Sequence, residues 1–130
     1  MTQEFRILVV DDDMALVHLL RESLQSSGYK VCVGYDGQQA LQQARKEKPH
    51  LIVLDVAMPM LNGIKTFEYL RQATETRQIP VIFLSGELTK DVYPLIETAS
   101  RVAHVKKPMD LEHLHSLIKQ FLAEYPVTFE

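Results

Sequence analysis

The sequence contains no tryptophan and only one cysteine in 130 residues. That single thiol, Cys32, excludes an intramolecular disulfide framework and leaves too few sulfur ligands for a cysteine-based metal site. No apolar run approaches the roughly 18 residues that a membrane-spanning helix requires. The opening residues, Met1-Thr2-Gln3-Glu4-Phe5, lack a basic stretch followed by an apolar core, so no signal peptide is expected. An excess of positive charge is also missing: 14 Lys+Arg against 17 Asp+Glu give a net charge of −3, which argues against a direct nucleic-acid module. The remaining composition, 46% hydrophobic and 24% charged, is that of a water-soluble globular chain. Its length suits one domain, and such a domain buries roughly two thirds of its unfolded surface. A single, mildly acidic, cytoplasmic domain is expected.

Five short apolar runs are rich in β-branched residues: Ile7-Leu8-Val9-Val10, Val31-Cys32-Val33, Leu51-Ile52-Val53-Leu54, Val81-Ile82-Phe83-Leu84 and the weaker Val102-Ala103-His104-Val105. Three are continuous rather than alternating, the pattern of strands covered on both faces in a parallel sheet. Helical spacing lies between them. Leu16, Leu20 and Leu24, with Val17, share one face; Ala40, Leu41 and Ala44 do so more weakly; Leu111, Leu114, Ile118 and Phe121 form the clearest stripe, joined by Leu117 and Leu122. Gly28 stands where a left-handed helix end is expected, and Asp110 is placed to cap the last helix. Pro94 fits the first turn of a helix starting near Asp91 or Val92. Strands alternating with helices predict an α/β (βα)₅ domain with right-handed crossovers, whose ligands bind beyond the carboxyl ends of the strands.

The strand ends carry distinctive chemistry. The first run is followed by Asp11-Asp12-Asp13, the third by Asp55, the fourth by Ser85-Gly86 and the fifth by Lys106-Lys107-Pro108, whereas Gly34-Tyr35-Asp36 after the second offers nothing comparable. If the strand order is 2-1-3-4-5, the carboxylates converge with one hydroxyl and one ammonium facing them. Two carboxylates about 4 Å apart repel by roughly 4 kcal/mol at an effective dielectric near 20, so three need protons or a cation. Hard oxygen ligands favour Mg²⁺. Lys107 is expected to pair with Asp55 at rest and with a phosphoryl oxygen when one is present. Taken singly, each residue has a plainer explanation: the Asp triplet as a helix cap, Asp55 as a structural strand end, Lys107-Pro108 as a turn. Four strand ends that all suit one phosphoryl site make coincidence the weaker reading.

In these motifs the sequence resembles the receiver domain of bacterial two-component response regulators. The resemblance runs from about Phe5 to Glu124 and rests on Ile7-Leu8-Val9-Val10-Asp11-Asp12-Asp13, Leu54-Asp55-Val56-Ala57-Met58-Pro59, Asn62-Gly63, Pro80-Val81-Ile82-Phe83-Leu84-Ser85-Gly86 and Val105-Lys106-Lys107-Pro108. It implies a flavodoxin-like doubly wound fold with a five-stranded parallel sheet of order 2-1-3-4-5, one receiver filling residues 1–130 with its core at about 5–124. It also implies that Asp55 accepts a phosphoryl group from a histidine kinase or a small acyl phosphate. Asp12, Asp55 and the backbone carbonyl of Ala57 match the Mg²⁺ shell, with Asp11 contributing through water. Lys107 matches the lysine that neutralises phosphoryl charge, Ser85 the switch hydroxyl, and Pro59 and Gly63 the residues that shape the acceptor loop. The implied partners are a histidine kinase or phosphotransfer protein, and a second copy through the face of the fourth helix, fifth strand and fifth helix; neither nucleic acid nor membrane is expected as a direct partner. The implied role is that of a phosphoacceptor, not a turnover enzyme.

Three positions depart from the family pattern. His104 stands where the rotating switch residue is usually aromatic, so its coupling is expected to depend on pH. Thr98-Ala99-Ser100-Arg101 replaces a small Gly-Ala pair before the fifth strand, and Asn62 precedes Gly63 where aspartate is common. His113 and His115, two apart, do not share a helix face, and Cys32 reads as a small core residue. The competing functions are a degenerate receiver that binds partners without phosphorylation, disfavoured by the full set of Asp12, Asp55, Ser85 and Lys107, and an aspartate-nucleophile phosphatase, disfavoured by the short chain. The six residues after Glu124 are too few for an effector, so either a stand-alone receiver or part of a longer regulator is expected.

Overall fold

The computed structural model describes residues 4–86 and 92–129. Its elements run β1 (Arg6–Val10), α1 (Met14–Ser26), β2 (Lys30–Gly34), α2 (Gly37–Glu47), β3 (Leu51–Asp55), α3 (Gly63–Gln72), β4 (Val81–Ser85), α4 (Val92–Thr98), β5 (Val102–Lys106) and α5 (Leu111–Glu124). The five strands form one parallel sheet in the order β2-β1-β3-β4-β5. The expected doubly wound architecture is therefore present.

Alternation along the buried strands feeds two cores. Ile7, Val9, Leu51, Val53, Ile82 and Leu84 face α1 and α5, where Val17, Leu20, Leu24, Leu114, Ile118, Phe121 and Leu122 meet them. Leu8, Val10, Ile52, Leu54, Val81 and Phe83 face the other way, toward Ala40, Ala44, Phe67 and Leu70. Helices on both faces explain why these strands read as continuous apolar runs.

The predicted punctuation also holds. Asp13 caps α1 by accepting from Leu16 N–H, and Asp110 caps α5 by accepting from Glu112 and His113 N–H. Gly28 has φ 94°, and its N–H donates to Gln25 O at the end of α1. Pro94 lies in the first turn of α4, which begins at Val92; the alternative start, Asp91, falls outside the described residues. No apolar stripe announced α3. The reason is that its buried face includes the polar Thr66, whose hydroxyl donates to Asn62 O. Among the described residues, no helix is long and apolar enough to cross a membrane.

β1 and β3 are neighbours, and the connections from them leave toward opposite edges of the sheet. This is the point where strand order reverses and a crevice opens beyond the carboxyl ends.

Candidate functional site

The sheet continues briefly past the strand ends and so fixes the loops that carry the polar residues. Asp11 N–H donates to Gly34 O at 3.2 Å, Val56 N–H to Leu84 O at 2.9 Å, and Lys107 N–H to Ser85 O at 2.8 Å. The aspartate triplet divides its work. Asp13 caps α1, while its own N–H donates to Asp11 Oδ1 at 2.9 Å and holds that carboxylate in the crevice. Asp55 ends β3, and its Oδ1 accepts from Ala57 N–H at 3.3 Å.

The loop after Asp55 returns very close to the strand. Gly63 N–H donates to Val56 O at 2.9 Å, and a Cβ on Gly63 would lie 2.1 Å from the Asp55 carbonyl oxygen. Glycine is required there by space. Asn62 caps α3, its side chain accepting from Lys65 N–H at 2.9 Å, as an aspartate in that position would.

Carboxylate oxygens of Asp11, Asp12 and Asp55 all lie within 4.8 Å of one another, with Asp11 and Asp55 buried and Asp12 exposed. The Lys107 ammonium lies 2.7 Å from Asp11 Oδ2 and 3.4 Å from Asp55 Oδ1. Its nearer partner is thus Asp11, not the expected Asp55. The reason is geometric: Asp11 directs one oxygen to Asp13 N–H and the other to the lysine, whereas the facing oxygen of Asp55 is shared with Ala57 N–H.

Three carboxylates against one ammonium leave negative charge uncompensated. Burial first, then the charge of Asp11, pushes the Asp55 carboxyl up to about 6, against the pull of Lys107. Burial works against the charged form of Lys107, yet its contacts with Asp11 and Asp55 hold it above its ordinary value. A carboxylate this reluctant to ionise, beside two others with hard oxygens, fits a divalent cation with oxygen preference. Asp12, on the exposed side, leaves room for water in its shell.

Ser85 ends β4 and is buried. Its Oγ lies 3.0 Å from His104 Nε2 on the neighbouring β5, a hydrogen bond whose direction the imidazole tautomer sets. Burial lowers the affinity of His104 for a proton. His104 therefore reaches inward to the hydroxyl, so the two residues that the resemblance assigns to the switch touch each other.

The family model for the response regulator receiver domain matches residues 7–119. The chain belongs to this family. Among curated relatives, the polar-differentiation response regulator DivK of Brucella anthropi is 28% identical over 91% of this chain and 96% of its own length. The alkaline phosphatase synthesis transcriptional regulatory protein PhoP of Bacillus subtilis is 45% identical over 63% of this chain but only 33% of its own length. The chain spans about half the length of other curated regulators that it matches. Among solved structures, the Vibrio cholerae chemotaxis protein CheY4 superposes with a TM-score of 0.84 at 25% identity, covering 92% of this chain and all of that one.

Within this receiver domain the unusual positions have local explanations. Arg101, in place of the small residue before β5, takes a left-handed φ of 63°, and its guanidinium lies over the Tyr125 ring at 5.4 Å. Cys32 is half-buried, its thiol donates to Ile7 O at 3.8 Å, and burial pushes it up to about 11, which makes it inert as a nucleophile at neutral pH. His115 binds Ser23 on α1 at 2.8 Å while His113 is exposed, so the two do not act as a pair.

Proposed function

We propose that this receiver domain is a Mg²⁺-dependent phosphoacceptor in which Asp55 takes a phosphoryl group from a histidine kinase or phosphotransfer protein. The observation that carries the reading is Asp55 itself: a buried carboxylate held between two further aspartates and an ammonium, with its proton affinity raised to about 6. At neutral pH it is ionised yet poorly stabilised, which suits a nucleophile awaiting countercharge.

Asp11, Asp12 and Asp55, with the Ala57 carbonyl, would hold the metal, whose chemistry when bound is to neutralise phosphoryl and carboxylate oxygens. The protein's own residues do the rest. An Asp55 oxygen attacks phosphorus, an O–P bond forms as the P–N bond to the donor imidazole breaks, and the leaving imidazole keeps the electron pair and is protonated from solvent. Lys107 supplies positive charge to the transferred oxygens, and Ser85 supplies a donor hydroxyl. No general base is needed because the nucleophile is already an anion.

The new phosphoryl group competes with His104 for the Ser85 hydroxyl. Movement of that hydroxyl frees His104 and alters the edge formed by β5, which gives a two-state element linked to phosphorylation. Met14 and Met60, 67% and 100% exposed, sit on the segments carrying the aspartate triplet and following Asp55, and offer adaptable apolar contact to a donor protein. A homodimer through the α4–β5–α5 face and a cytoplasmic setting belong to the same reading.

Beryllofluoride, which mimics a phosphoryl group on a carboxylate, tests this without a kinase. With Mg²⁺ it should shift the amide resonances of residues 55–57, 85 and 104 in the unmodified chain and leave them in place in Asp55→Asn. Absence of any shift would leave a degenerate receiver. Sustained phosphate release from varied monoesters would point to a phosphatase.

A further inference from the structure

At the pole of the sheet opposite Asp55, the chain leaving α5 turns under the fold. Val127 and Phe129 are half-buried against the core on the α2–α3 side, while Pro126 and Thr128 point outward. Such alternation marks an extended segment with one face on the protein. The Phe129 ring meets the His50 imidazole edge-on, with centroids 5.6 Å apart and planes at 75°, and His50 meets Phe5 on its other flank at 5.4 Å. His50 is itself fixed: its Nδ1 accepts from Arg6 N–H at 3.0 Å and its N–H donates to Arg6 O at 2.8 Å. Beside this segment lies a cavity of about 200 Å³, bounded by Lys48, Thr74, Glu75 and Gln78.

Residues 126–129 make no hydrogen bond to the rest of the described chain. Two apolar side chains on a preformed floor hold them, the kind of attachment that opens locally without disturbing the core. The floor does not depend on the segment, since His50 is anchored to β1 through both of its hydrogen bonds. We propose that this notch is a binding site for residues 126–129 of this chain, an extended segment with an apolar and an aromatic side chain two apart, which occupies it as a reversible strap. Val127 and Phe129 are the two anchors, and His50 is the surface that the aromatic anchor recognises. The strap lies at the opposite pole from the acceptor carboxylate, so the proposal stands independently of the phosphoacceptor reading.

The test uses the full chain carrying Val127→Ser and Phe129→Ser, together with a synthetic peptide of residues 124–130. The His50 ring protons of the unmodified chain should show the displacement caused by an adjacent aromatic ring. The double variant should lose it, and added peptide should restore it, whereas a peptide carrying the Phe129→Ser change should not. A strap docked nine tenths of the time weakens peptide binding to the unmodified chain about ten-fold relative to the variant. The proposal is overturned by identical His50 signals in both proteins, by failure of the peptide to restore them, or by equal affinity for both. Displacement that grows with protein concentration, together with a dimer in sedimentation, would also overturn it, because a second copy would then supply the segment. If the double variant unfolds, Phe129→Leu keeps an apolar anchor and should move the His50 signals alone.

Discussion

Lys107 reaches across the crevice to Asp11, with Nζ 2.7 Å from Oδ2, and lies farther from Asp55 at 3.4 Å. The ammonium therefore neutralises the deeper carboxylate, Asp11, more than Asp55. Asp55 is left ionisable but undercompensated, an imbalance from which expectations about stability and cation binding follow.

The first expectation concerns stability. Asp55 titrates near 6 in the folded chain against an ordinary 3.8. The folded state thus binds this proton more tightly than the unfolded state, so the group costs nothing below about pH 4 and its cost is fully present above pH 6. Asp55→Asn should stabilise the metal-free protein at pH 7.5 by about 1–3 kcal/mol and leave it nearly unchanged at pH 4. Thermal unfolding in EDTA at the two pH values checks both the size and its disappearance in acid.

Cation binding should follow the same proton. Mg²⁺ must displace it from Asp55, so affinity should fall about ten-fold between pH 7.5 and pH 5. Calorimetric titration would show this. Asp12→Asn, on the exposed side of the cluster, should weaken binding at both pH values without unfolding the protein.

Gly63 gives a purely steric expectation. A methyl group there would lie 2.1 Å from the Asp55 carbonyl oxygen and 2.8 Å from Val56 Cα, both backbone atoms. Gly63→Ala should therefore destabilise the fold by roughly 3 kcal/mol, toward the upper end for overpacking. Urea denaturation measures the loss, and Mg²⁺ affinity should fall with it because the acceptor loop must shift.

The Ser85–His104 contact predicts a titration that reports on phosphorylation. Burial holds His104 below its ordinary 6.5. When Ser85 turns to a phosphoryl group and His104 becomes exposed, its midpoint should rise toward that ordinary value. NMR titration of the imidazole with and without beryllofluoride would show the rise, and an unchanged midpoint would disconnect His104 from the switch. His104→Tyr should remove the imidazole's part of any pH dependence of the response and leave the part set by Asp55.

Much of this was legible in the residues because the physics is local. Continuous runs such as Ile7 to Val10 are what a strand covered on both faces requires, and they located β1 and β3 to within one residue. Asp13, Gly28 and Asp110 act on backbone groups within a few positions of themselves, so their roles could be read directly. The residues of the candidate site were legible as strand ends once parallel order was assumed. What stayed hidden depends on three-dimensional distance. The preference of Lys107 for Asp11 spans 96 positions and turns on which oxygen is already occupied. The resemblance already joined His104 and Ser85 as switch residues, but their direct hydrogen bond depends on a pairing register that places Phe83 beside His104. The packing of Val127 and Phe129 was not legible, because two residues are too few to form a periodic pattern and the surface that receives them is built from distant parts of the chain.

The most direct measurement is the intact mass of the chain after exposure to acetyl phosphate with Mg²⁺. One added phosphoryl group per chain, mapped to Asp55, lost in Asp55→Asn and strongly reduced in EDTA, is the expected result. An unmodified chain under the same conditions, or a phosphoryl group that persists in Asp55→Asn, would contradict the account.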